Sequence, residues 1–116
     1  MKSAIADKSY SFAVRIVNLY RHLTMKKNEF VLSKQVLRCG TSIGANVREG
    51  QEGQSKADFV SKFSIALKEC NETLYWLDLL HDTHYVTDAQ HKSLKSDCTE
   101  LKRLLVSIVK TSRARL

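Results

Sequence analysis

The 116-residue chain has no proline, only four glycines, one tryptophan and three cysteines. Each scarcity closes off a class of protein. No apolar run approaches the ~20 residues that span a bilayer, and the opening MKSAIADKSYSF is broken by Asp7 and Lys8 before a signal-peptide core can form. The expected location is therefore the cytoplasm, with no membrane partner. Cys39, Cys70 and Cys98 are odd in number, widely spaced and free of any CxxC pair. They read as small buried hydrophobes in a reducing compartment rather than as a disulfide framework or a zinc site. Asn71-Glu72-Thr73 matches the glycosylation sequon, which is idle without secretion.

With no proline, the residues that weaken helices are the glycines, and all of them fall in GTSIGANVREGQEG, residues 40 to 53. A dinucleotide fingerprint needs GxGxxG and a phosphate loop needs GxxxxGK followed by Ser or Thr, and neither spacing occurs. Gly40 and Gly44 instead sit four apart beside Val36, Ile43 and Val47. Their missing side chains let a second helix approach, which offsets the ~1 kcal/mol that each costs relative to alanine. Gly50 and Gly53 suit the end of that helix and the turn after it.

Apolar residues recur at helical spacing in four segments, near 4–26, 33–51, 55–82 and 87–114, and no strand-like alternation competes. Ser55-Lys-Ala-Asp58 and Thr87-Asp-Ala-Gln90 fit the capping box, and Ser33 is a candidate cap for the second helix. The predicted core stripes are Phe12, Ile16, Leu19 and Leu23; then Leu32, Val36, Cys39, Ile43 and Val47. The third helix contributes Phe59, Phe63, Ala66, Cys70, Leu74 and Leu77, and the fourth Leu94, Cys98, Leu101, Leu105 and Ile108. Short connections make neighbours antiparallel. The expected fold is one all-α domain over residues 1–116, an up-down-up-down four-helix bundle.

The net charge of +7 is concentrated at the two ends of the chain. Lys92, Lys95, Lys102, Arg103, Lys110 and Arg113 fall in one ~100° sector of the fourth helix, with Asp97 and Glu100 on the other side of its core stripe. Lys8, Arg15, His22 and Lys26 form a row on the first helix. If the two rows flank one surface, that surface suits phosphates, because each neutralised charge releases a counterion. The alternative is a solvated, solubilising face. No aromatic platform is interleaved with these charges, so base-specific recognition is not indicated.

Two helices carry more apolar surface than one core requires. The first adds Ala13, Val14, Val17 and Tyr20, and the third sets Ile65, Trp76 and Leu79 opposite its core stripe. An isolated bundle is expected to leave Trp76 in water, so these residues, with Val14 and Val17, mark the interface of a homo-oligomer; the alternative is a lone surface tryptophan of no consequence, since single exposed hydrophobes are common. Gln35, Ser42, Asn46 and Glu49 draw a polar line along the border of the second stripe, suited to hydrogen-bonding a neighbouring helix or subunit. Asp78-Leu-Leu-His81 and Asp88-Ala-Gln-His91 face each other across a hairpin, with His84 between them. They lie at a solvent-exposed turn rather than in mid-core, so no metal site is expected. Neither a Ser/His/Asp nor a Cys/His arrangement is spaced for catalysis, and no enzymatic activity or cofactor is expected.

SIGANVREG, with the spacing to Ser55, Asp58-Phe59, Phe63, Ile65-Ala66 and Leu74-Tyr75, resembles the bacterial four-helix-bundle family of 23S rRNA intervening-sequence proteins. Leu23-Thr24, Leu32, Gln35 and Arg38 extend the similarity over about residues 8 to 110. The chain departs from the family pattern in lacking a proline between Met25 and Phe30 and in reading Ser42-Ile43-Gly44 where SIP is frequent. The resemblance implies a small cytoplasmic bundle of no established enzymatic activity. Through a related branch, the accessory protein of diversity-generating retroelements, it implies a homopentamer that binds nucleic acid and a reverse transcriptase. The resulting expectation is an oligomer binding RNA or DNA through the first and fourth helices, with a protein-interaction scaffold as the alternative.

Overall fold

The computed structural model describes residues 3–116. Four helices follow one another: α1 (Ala4–Met25), α2 (Leu32–Gln51), α3 (Lys56–Asp82) and α4 (Asp88–Ala114). They pack antiparallel into a rod of 46 × 22 × 20 Å. The α1–α2, α2–α3 and α3–α4 contacts are extensive, and the α1–α4 seam that closes the bundle is the most open.

Each start has a chemical cause. Ser3 accepts the N–H of Ala6 at 3.2 Å, and Ser55 accepts that of Asp58 at 3.1 Å. Thr87 and Gln90 form a complete capping box. The expected box at Ser55 is only half made, with the hydroxyl capping Asp58 and no return bond from the Asp58 side chain. The cap of α2 is not Ser33. Glu29 takes that role: its carboxylate accepts the N–H groups of Val31 at 3.1 Å, Leu32 at 3.0 Å and Ser33 at 2.7 Å. A carboxylate with two oxygens satisfies three free amides at the positive end of the helix, which one hydroxyl cannot. Burial by itself raises the Glu29 pKa, but the three backbone donors outweigh it and hold the group below its ordinary value.

The core lies where the stripes point. Phe12, Ile16, Leu23, Val36, Ile43, Phe63, Leu77, Leu101 and Leu105 are fully buried. The stripes of α3 and α4 turn slightly from expectation. Phe59, Leu74 and Ile108 are half-buried against the core, while Val60, Leu80 and Val109 go inside. Cys39, Cys70 and Cys98 are free and buried. Burial pushes the Cys39 thiol up to about 11; its contact with Cys70, and then burial, push that of Cys98 higher. All three are unreactive packing groups.

The glycines pack helices together. A Cβ on Gly40 would stand 2.8 Å from the Ile16 side chain, and one on Gly44 3.3 Å from the Ser9 carbonyl oxygen, so both bring α1 down onto α2. Gly50 makes room for the Phe63 ring at 2.7 Å. Positive φ belongs instead to Asn28 and His84, each in a turn at the same end of the rod.

Candidate nucleic-acid interface

α4 divides its charges between its two flanks. On the flank towards α3, Lys95 donates to Asp78 Oδ1 at 3.0 Å and Arg113 to Ser64 Oγ at 3.2 Å. Towards α1, Glu100 accepts from Lys8 at 3.2 Å and Asp97 from Arg15 at 2.6 Å. Arg15 also donates to Ser93 Oγ at 2.9 Å. The row on α1 therefore faces α4's acids, not its lysines. The expected single surface flanked by both rows is not formed, because opposite charges close the most open seam of the bundle. Sequence placed the acids correctly on the wheel but not the neighbour they would meet.

What remains is a strip on α4 alone. Lys92, Lys102, Arg103 and Lys110 make no ion pair among the described residues, and Lys26 on the far end of α1 makes none either. From Lys92 to Arg113 the strip runs about 32 Å at the rise of an α-helix. His91, Lys92, Lys95, Ser96, Thr99 and Arg103 line a shallow depression of about 350 Å³ on it. Of these, His91 and Lys95 are engaged by Asp78, while Lys92 and Arg103 with the hydroxyls of Ser96 and Thr99 present donors that are free among the described residues.

The acid-x-x-His pairs cross over. His91 pairs with Asp78 at 2.7 Å and His81 with Asp88 at 2.6 Å, while the two imidazoles stack at 4.3 Å. His81 also meets Asp82 at 3.0 Å. Carboxylates face both of its ring nitrogens, so the imidazolium is the form that satisfies them. Asp88 first, then Asp82, raises the His81 pKa above its ordinary value, and His81 in turn lowers that of Asp88. Burial raises the Asp78 pKa, but bonds from His91 and Lys95 outweigh it and hold the group low. Among the described residues no cluster of three or more His, Cys, Asp or Glu side chains is placed to hold a metal ion.

The residues expected at an interface between copies divide. Val14 is 47% and Ile65 39% exposed, whereas Val17, Leu79 and Trp76 are half-buried. Trp76 is not left in water: it packs against the core and its indole N–H donates to Glu72 at 3.4 Å. Arg38 of α2 bridges Glu69 and Glu72 beside it. In the polar line, Ser42 and Asn46 bond to carbonyls of their own helix, those of Arg38 and Ser42. Gln35 is exposed, and only Glu49 reaches a neighbouring helix, at Lys62.

The model of the 23S rRNA-intervening sequence protein family matches residues 1–107. The chain belongs to this family. It is also similar to a solved structure from Bacteroides thetaiotaomicron, a protein of unknown function from the S23 ribosomal protein family. The two are 58% identical with a TM-score of 0.91, over 92% of this chain and 99% of that one. No curated protein matches. No helix among the described residues is long and apolar enough to cross a membrane.

Proposed function

We propose that this family member is a non-enzymatic bundle that binds nucleic acid through the basic strip of α4 and works as a homo-oligomer in the cytoplasm. The observation that carries the reading is the run of Lys92, Lys102, Arg103 and Lys110 along one flank, which make no ion pair among the described residues. Four cations without counter-charges attract a polyanion over a Debye length and gain entropy when its counterions leave. Contact with phosphates alone gives affinity without sequence preference. The family's name makes ribosomal RNA the first nucleic acid to test. Assembly brings copies of the strip together, and the exposed Val14 and Ile65 support it.

The test is a salt-titrated RNA gel shift on wild type and on a triple variant, Lys102→Glu, Arg103→Glu and Lys110→Glu. Log affinity is expected to fall by about 0.7–0.9 per contacted phosphate for each decade of salt, and the triple variant is expected to lose binding. Unchanged retention of RNA by that variant overturns the reading. A second reading, a scaffold or accessory factor for a nucleic-acid enzyme such as a reverse transcriptase, draws on the exposed Tyr10 and Tyr75. Capture of one protein partner that survives nuclease treatment favours it.

A further inference from the structure

The connection between α1 and α2, residues 26–31, does more than join two helices. Glu29 is 8% exposed and its carboxylate is turned inward as the cap of α2. Its own N–H bonds back to the Leu23 carbonyl at 2.9 Å, and Asn28 takes the left-handed conformation with φ 53°. The turn is thus held from both sides. Its only acid is spent on the helix, while Lys26, Lys27 and the following Lys34 stay exposed and form no ion pair among the described residues.

Beside these lysines the chain shows apolar side chains to water. Met25, Phe30 and Val31 are 74%, 53% and 71% exposed. Lys27 and Phe30 are three residues apart, so their α-carbons lie within about 11 Å. Lys27 also lines, with His22 and His84, a cavity of about 700 Å³ at this end of the rod; Asp82 and Asp88 in its wall are both engaged by His81. An exposed aromatic side chain in a turn whose lysines form no ion pair among the described residues offers what stacks an unpaired base while its phosphates are neutralised.

We infer that the α1–α2 turn is a single-strand stacking site, in which Phe30 packs on a base and Lys26, Lys27 and Lys34 take the flanking phosphates. The site rests on the nucleic-acid reading above, takes its RNA from that reading, and specifies the form of the partner as single-stranded, because bases within a duplex keep their faces covered. An anionic membrane is the weaker fit. One fourteen-carbon acyl chain gives only marginal membrane binding, and three short side chains bury less.

The test measures fluorescence anisotropy with a labelled single-stranded RNA 20-mer, a 20-base-pair RNA duplex, and vesicles of phosphatidylglycerol and phosphatidylcholine. Phe30→Ala is expected to weaken single-strand binding about tenfold, the effect of losing one stacked base, and to leave duplex binding unchanged. Phe30→Trp is expected to restore it, with an added indole emission that the RNA quenches. Equal single-strand affinity of Phe30→Ala and wild type overturns the site, as does equal loss towards duplex, or vesicle binding that depends on Phe30 while RNA binding does not. If the triple variant of α4 loses duplex binding while Phe30→Ala has no effect, this inference falls alone. If wild type binds neither RNA, both readings fall.

Discussion

Replacing the buried Glu29 should unsettle the start of α2 and with it the bundle. One hydrogen-bonding cap residue is worth about 0.5–2 kcal/mol, and a hydrogen bond to a charged group about 1.5–3 kcal/mol. Glu29 accepts three backbone N–H groups, the shortest at 2.7 Å to the fully buried Ser33. These contributions overlap, so Glu29→Ala is expected to cost about 2–3 kcal/mol, at or above the top of the range for a cap with a single hydrogen bond. Glu29→Gln keeps the shape and one acceptor oxygen but loses the charge at the helix terminus, so about 1–2 kcal/mol is expected. The assay is urea unfolding followed by circular dichroism at neutral and acid pH. The Glu29 pKa is depressed in the folded state from an ordinary 4.5. Its contribution is therefore complete above that ordinary value and disappears as pH falls through the lower folded one. The gap between wild type and Glu29→Gln must narrow on acidification. A Glu29→Ala variant within about 0.5 kcal/mol of wild type, or a gap that stays constant with pH, refutes the assignment.

Gly40→Ala gains about 1 kcal/mol of helix propensity but drives a methyl to 2.8 Å from the fully buried Ile16; overpacking of about 1–3 kcal/mol should win and lower the unfolding midpoint. Gly44→Ala meets the Ser9 carbonyl at 3.3 Å and should fall within about 0.5 kcal/mol of wild type in the same measurement, the two terms being nearly equal. Neutralising Asp97 and Glu100 to Asn and Gln frees Arg15 and Lys8; gel shifts should show tighter RNA binding with a steeper salt slope, at a stability cost under about 1 kcal/mol for each half-exposed pair. NMR titration should find His81 losing its proton above the ordinary imidazole value. Its contribution to stability is present at low pH and lost as pH rises through that raised pKa, and Asp88→Asn should bring the titration down.

Helix existence was legible in the sequence because periodicity reports burial directly: Phe12, Ile16, Val36, Ile43, Leu101 and Leu105 are each at a predicted core position and each buried. The glycines were legible for a related reason, since a costly residue in a helix points to something pressing against it, here Ile16 and Ser9. The cap of α2 was not. Glu29 lies outside the helix and reaches three amides at once, and the nearest short hydroxyl, Ser33, fits the usual pattern better. The signal was there in a carboxylate just before an uncapped helical start, and Phe30 and Val31 between them hid it as a linker.

The sequence by itself determined four amphipathic helices, their order, the single core and the segregation of acids from bases around α4. Those depend on residue identity and on a fixed turn of 100° per residue, which act within one helix. Tertiary structure decided which flank met which neighbour. Asp97 and Glu100 turned to α1 and absorbed Arg15 and Lys8, and Trp76 packed against the core with its indole N–H on Glu72. A helical wheel records direction but not who stands there, and charge left over for a partner depends on the distances between helices.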